Sequence, residues 1–261
     1  MLLNTSGASL GVAYKVERNP PLATMVRNSE AEMGDDMTEL DIPDVALRDN
    51  TSQRLPCVLL LDGSGSMDGE AIDELNAGLR VLEEELKKDD IASQRVQLLV
   101  IRFGGDRDVE VLSDWTDAMD FSAPRLSANG LTPMGSAVRV GLAKLEEQKG
   151  RYRTNGVAYN RPWVFLITDG GPTDTDWQQA AAESRAAEQA GKLVFFGVGA
   201  GASADLKKLA EFSTRQPVRL QGLKFRELFL WLSASARDGS KKAPGSNVQL
   251  APPDGWMQVS T

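Results

Sequence analysis

The sequence predicts an α/β domain of three layers: a mostly parallel central sheet with one antiparallel edge strand, and helices on both faces. Three observations carry that expectation. From Leu55 onward, short apolar runs alternate with stretches of helical period, the pattern left by successive strand–helix units. Two runs, Val58–Leu61 and Trp163–Ile167, are apolar at every position, as strands covered on both faces are. Both runs lead into an Asp-Gly pair, Asp62-Gly63 and Asp169-Gly170. That places polar loops at the carboxyl edge of the sheet, where open α/β folds keep their ligand crevice.

Taken in order, the first 50 residues read as an extension and acidic linker. Leu10, Val12, Tyr14 and Val16 alternate with smaller or polar residues, the period of an added edge strand. Between Asn28 and Asn50, Glu30, Glu32, Asp35, Asp36, Glu39, Asp41, Asp44 and Asp49 face only Arg48, leaving −7 of the chain's −8 there. Such a stretch is either a solvated linker or an arm that docks on the domain or on a partner. The main domain is expected over residues 51–236. After the first strand, Ile72, Leu75, Leu79, Leu82 and Leu86 form one helical stripe from about Glu70 to Lys88. Val96 to Phe103 is the second strand. Gly104-Gly105-Asp106 turns it back into a short antiparallel strand, Val109 to Leu112. A helix opens at Thr132-Pro133, proline suiting its first position, and shows Met134, Ala137, Val138, Gly141, Leu142 and Leu145 on one face.

A polar, basic insert from Lys149 to Arg161 then leads to the strand that begins at Trp163. A helix from about Asp176 to Ala190, a strand from Leu193 to Val198, a short helix over Asp205 to Phe212, a strand near Val218 and a helix from Phe225 to Ser235 complete the domain. The remainder, 237–261, is rich in Gly, Pro and Ser and reads as a tail with apolar points at Leu250 and Trp256. A chain of 261 residues suits one main core, which buries roughly 70–75% of its unfolded surface.

Composition closes several chemistries. With no histidine and one cysteine, Cys57, there is no Ser-His or Cys-His nucleophile pair, no imidazole relay and no Cys/His zinc site. Cys57 directly precedes the apolar run and belongs in the core. No disulfide can form within the chain, no apolar run approaches the roughly 20 residues that cross a bilayer, and Met-Leu-Leu-Asn-Thr does not open like a signal peptide. The expected setting is cytoplasmic, with no membrane partner. The charge of −8 argues against nucleic acid, whose binding relies on clustered Lys and Arg.

The chemistry is expected in three pieces: the loop Asp62-Gly63-Ser64-Gly65-Ser66, Thr132 at a helix start, and Asp169 before Gly170. Hard oxygens of this kind suit Mg2+ or Mn2+ and offer nothing soft. Each piece alone also has a plainer role: Thr132 as a helix N-cap, the serines as partners of turn amides, Asp-Gly as a turn. Together, in this order and at one sheet edge, they resemble the metal-ion-dependent adhesion site of von Willebrand factor A (vWA) domains. The resemblance covers about Leu55 to Ser235 and implies a Rossmann-like vWA fold. It further implies Ser64, Ser66 and Thr132 as direct ligands, Asp62 and Asp169 acting mostly through water. Neutral hydroxyls leave such a cation electrophilic, so an open coordination position favours a Glu or Asp of a partner protein. An apolar rim of Met67, Met134, Pro172 and Trp177 is expected around it.

Leu61–Met67 with Gly69-Glu70, Pro124–Thr132, Arg161–Asp174, Trp231–Ser235 and the tail's Pro252-Pro253 with Trp256 also resemble TerY-type proteins of bacterial tellurium-resistance clusters. That likeness implies partners of the PP2C-like phosphatase or protein kinase type, in a stress-response phosphorylation system. The rival reading is an enzyme, nucleotide-binding or performing Mg-dependent phosphotransfer through Gly63, Gly65 and Gly69. The spacing is weak for that role, Asp62 and Asp68 would repel a phosphate, and no Gly-Lys-Ser/Thr follows.

Overall fold

The computed structural model describes residues 47, 50–105, 107–243 and 257–259, all within the unit Ile42–Thr261. The strand expected over Leu10 to Val16, nearly all of the acidic stretch, Asp106, Leu250 and Trp256 lie outside the described residues.

The strands are β1 (Leu55–Asp62), β2 (Val96–Phe103), β3 (Val109–Asp117), β4 (Trp163–Thr168), β5 (Val194–Ala200), β6 (Val218–Leu220) and β7 (Met257–Val259). They form one sheet in the order β3-β2-β1-β4-β5-β6-β7. β1 pairs in parallel with β2 and β4, and β5 in parallel with β4 and β6; β3 runs antiparallel along β2. The expected α/β class and its antiparallel edge are therefore observed. A segment read as tail adds to them, because β7 runs antiparallel to β6 at the other edge.

The central strand shows why the layers form. Successive residues of a strand point to opposite faces. Leu55, Cys57, Leu59 and Leu61 accordingly enter one core, Val58 and Leu60 the other, and Cys57 is buried as expected. The first core is closed by α1 (Glu70–Lys87) through Ile72, Leu75, Leu79 and Leu82, and by the helix Phe225–Ser240 through Phe225, Leu228, Phe229 and Leu232. Between them α2 (Asp90–Arg95) is an addition to the expected elements, capped by the Asp89 carboxylate, which accepts from the amides of Ile91 and Ala92. The second core is closed by α3 (Met134–Thr154) and α4 (Trp177–Gln189), with Met134, Ala137, Val138, Trp177 and Ala180 turned inward. The short α5 (Leu206–Leu209) follows β5, which makes Phe225–Ser240 helix α6.

Two boundaries differ from expectation for the same reason: tertiary burial extends a helix past its obvious apolar stripe. α3 continues through Lys149–Thr154, where an insert was expected, because Tyr152 is fully buried, packs on Tyr159 with ring centroids 5.2 Å apart and donates to Gln97. α6 runs to Ser240, past the expected domain end at 236, because Gly239 sits flat against the Trp163 ring; a Cβ there would lie 3.0 Å from it. At this end of the sheet the segment before β1 and the end of α6 lie side by side. Gln53 donates to the carbonyl of Lys242 at 2.7 Å, Asn160 donates to Gly239 and Lys242, and Arg54 holds the carbonyls of Asn50 and Ser52.

Candidate metal centre

The chain steps from β1 to β2 on one side and later to β4 on the other, so the sheet's switch point lies between β1 and β4. Loops leaving the carboxyl ends of two such strands diverge and open a crevice. Asp62 ends β1 and Asp169 directly follows β4, so both carboxylates stand at this point.

Asp62 is 0% exposed. One carboxylate oxygen accepts the Ser64 amide at 2.8 Å and the other the Thr168 hydroxyl at 2.5 Å. Burial pushes its carboxyl up to about 6, opposed by the hydrogen bonds from Ser64 and Thr168 and reinforced by the nearby charge of Asp169. The next residues fold into a 3-10 turn, Gly65–Met67, closed by the Met67 amide on the Ser64 carbonyl at 3.0 Å. That turn brings the Ser66 hydroxyl back over Ser64, with the two Oγ atoms 3.1 Å apart, and Ser66 donates to Asp169 Oδ1 at 2.7 Å. Two serines and two carboxylates are thereby gathered.

Thr132 arrives on a third loop that backbone hydrogen bonds tie to the other two. Gly65 donates to the Gly130 carbonyl at 3.0 Å. Thr132 donates its amide to the Thr173 hydroxyl at 3.0 Å and accepts the Thr173 amide at 3.0 Å. The plainer role of Thr132 as a side-chain cap is taken elsewhere: Pro133 stands at the cap position of α3, and Asp174 accepts from the amides of Gly135 and Ser136 at 3.3 and 2.8 Å. Gly104 presses on this assembly from β2. Its φ is +94°, and a Cβ there would lie 2.6 Å from the Ser64 amide nitrogen.

The expected apolar rim is corrected by these positions. Met67, Met134, Pro172 and Trp177 are all buried, Met67 in the core under α1, and Met134 and Trp177 in the core under α3 and α4. Trp177 stacks on Phe212 with centroids 6.0 Å apart. These side chains anchor the loops from below. The apolar residue that does stand beside the site is Leu131, 67% exposed next to Thr132. Sequence reasoning also passed over Thr168 and Thr173, hydroxyls embedded in runs that gave no reason to single them out.

The donor set fits a small hard cation. Ligands at about 2.1 Å in an octahedron stand about 3 Å from one another, and the Ser64–Ser66 oxygen separation of 3.1 Å matches that edge. The buried Asp62 beside Asp169 leaves negative charge that a cation would balance. No group of three acidic or soft ligand residues occurs among the described residues, so the set is hydroxyl-rich.

A family profile described as "von Willebrand factor type A domain" matches residues 57–221. No curated protein matches the chain. Among solved structures, the pilus adhesin SpaC from Lactobacillus rhamnosus GG, in an open conformation, superposes with a TM-score of 0.56 at 16% identity, over 72% of this chain and 30% of that one. Proximal thread matrix protein 1 from the mussel byssus gives 0.52 at 14% identity, over 73% and 47%, and a von Willebrand factor type A protein from Catenulispora acidiphila gives 0.51 at 21%, over 71% and 43%. The chain spans less than half the length of each of these proteins. At such identities the likeness is one of fold.

Proposed function

Because the chain belongs to the von Willebrand factor type A family, we propose that it is a non-enzymatic interaction module that holds Mg2+ or Mn2+ at this centre and uses it to capture a carboxylate of a partner protein. The observation that carries the reading is the convergence of Ser64, Ser66 and Asp169 oxygens above the buried Asp62. Ser64, Ser66 and Thr132 would hold the ion directly, with Asp62 and Asp169 behind water. The ion supplies an electrophilic position for an anionic oxygen. The chain's own part is to keep its ligands neutral, so that the ion's charge is not cancelled, and to fix them on loops tied at Gly65–Gly130 and Thr132–Thr173. Leu131 adds an apolar contact for the partner residue beside the acid.

A phosphate-cradling enzyme has less support, because the loop amides that a phosphate would need are already paired. Gly63 donates to Phe103, Ser64 to Asp62, Gly65 to Gly130 and Met67 to Ser64. The finer part of the proposal is a role in a tellurium-resistance or stress-response system in the cytoplasm, with a PP2C-like phosphatase or protein kinase as partner. It rests on the TerY-type likeness.

Calorimetric titration with Mn2+ tests the centre. The wild-type chain is expected to bind one ion, and a folded variant carrying Ser64→Ala with Ser66→Ala to bind at least tenfold more weakly. Equal binding by the two would refute the site. Chelator-sensitive capture of a purified phosphatase or kinase of that class would support the finer reading, and capture indifferent to chelator would sink it.

A further inference from the structure

We infer that Arg102 is the positioning residue of the metal loop: a buried guanidinium that sets ion affinity without touching the ion. The inference rests on the metal-binding reading above. Arg102 is the penultimate residue of β2, in register with Leu61 of β1, and only 9% exposed. A strand end facing two cores would ordinarily take an aliphatic residue there.

The guanidinium instead fastens two further segments. One nitrogen donates to the Ser127 hydroxyl at 3.0 Å, on the loop that leads to Thr132, and another to Glu110 of β3 at 2.9 Å. The side chain lies between two glycines that flank the site, its stem against Gly63 and its guanidinium against Gly105. A Cβ on Gly63 would stand 2.9 Å from Arg102 Cγ and Cδ, and one on Gly105 would stand 2.7 Å from its terminal nitrogen. Those glycines carry the junction of the loops: Gly63 accepts the Asn129 amide at 2.9 Å, and Gly105 donates to the Asn129 carbonyl at 2.6 Å. Arg102 is thus the floor on which the Ser64 loop and the Thr132 loop meet.

Two further observations favour positioning over packing. Arg102 Nε is buried and finds no hydrogen-bond partner among the described residues, a state that costs stability and that an aliphatic side chain of similar volume would avoid. Glu110 also pairs the guanidinium at 2.9 Å and offsets part of its charge, although Arg107 shares that carboxylate at 3.1 Å. A planar fork gripping Ser127 and Glu110 at a fixed angle locates the loops in a way that a flexible ammonium cannot.

The test uses the full chain with Arg102→Met, which keeps the stem and removes the fork, and Arg102→Lys. Mn2+ affinity is read by the paramagnetic signal of the free ion, and folding by circular dichroism and thermal melting. Arg102→Met is expected to weaken Mn2+ at least tenfold while remaining folded, and Arg102→Lys to restore part of that loss. Amide exchange at Ser64, Gly65 and Gly130 should quicken in the metal-free methionine variant. Affinity within twofold of wild type in the folded methionine variant overturns the inference. Should that variant not fold, Ser127→Ala removes only the receiving hydroxyl. A threefold or greater loss there supports the inference, and a smaller one overturns it. Wild-type protein that binds no Mn2+ would instead sink the metal reading itself, whereas wild-type binding with an indifferent Arg102→Met sinks only the role of Arg102.

Discussion

Replacing Asp62 by asparagine should stabilise the metal-free chain while abolishing its response to Mg2+. The carboxyl is fully buried, and its pKa rises from an ordinary 3.8 to about 6. Between those values the folded chain keeps a proton that the unfolded chain has released. Stability is therefore greatest below about pH 4, falls as pH rises through this window, and levels off above about pH 6. Each tenfold is worth about 1.4 kcal/mol, so ionising Asp62 in the empty site opposes folding at neutral pH by about 3 kcal/mol. Asparagine keeps an oxygen for the Ser64 amide and turns its own amide toward the Thr168 hydroxyl, which can accept. At about 2–4 °C per kcal/mol for a domain of this size, Asp62→Asn should melt up to about 10 °C higher than wild type at neutral pH in chelator. The gap should close near pH 4, and Mg2+ should raise the melting temperature of wild type alone. The assay is a thermal melt of both proteins across pH, with chelator and with Mg2+. A gap that does not widen between pH 4 and 7 would refute the reasoning.

Gly104→Ala should cost about 1–3 kcal/mol and weaken Mn2+ binding together, since the added carbon meets Ser64 at 2.6 Å on a backbone with φ +94°; denaturant unfolding and calorimetry read the two effects. Leu131→Ser should leave melting temperature and Mn2+ affinity unchanged, because the side chain is 67% exposed, yet weaken capture of the partner severalfold in a surface-binding assay. Glu188 is a purely structural counterpart. Burial acts to raise its carboxyl, but the amides of Phe195 and Thr214 and the hydroxyls of Ser213 and Thr214 outweigh it and hold it below the ordinary 4.5. Its stabilisation is present above about pH 4.5 and lost as pH falls through the depressed value. Glu188→Ala, followed by urea unfolding at neutral pH, should cost about 2–3 kcal/mol and leave Mn2+ binding intact.

What was legible follows the strength of local constraint. β1 and β4 must be apolar on both faces, so their sequences admit little else, and the spaced oxygens after them announce a site by chemistry alone. The apolar pattern marks β3 only to Leu112 because an edge strand is half covered; Ser113, Asp114 and Thr116 break that pattern although pairing continues to Asp117. In α3 the basic residues Lys149, Arg151 and Arg153 hid a buried face at Leu145, Gln148 and Tyr152 that keeps helical spacing. The rim failed for a physical reason. Met67, Met134 and Trp177 lie next to polar loops in the chain, but a loop that must hold oxygens steady is pinned by apolar side chains driven inward. Leu131 carries no local mark that distinguishes an outward leucine from an inward one. Arg102 carries no local mark either, since Ser127 and Glu110 lie 25 and 8 residues away.

The bonds of Gln53 and Asn160 to the end of α6 put the approach to β1 and the end of that helix at one pole, and β1 rises roughly 25 Å from there to Asp62. A pull applied between residues 50 and 243 loads that knot of side chains and not the cation loops. A fluorophore at residue 50 or 243 would therefore report from the pole opposite the cation loops.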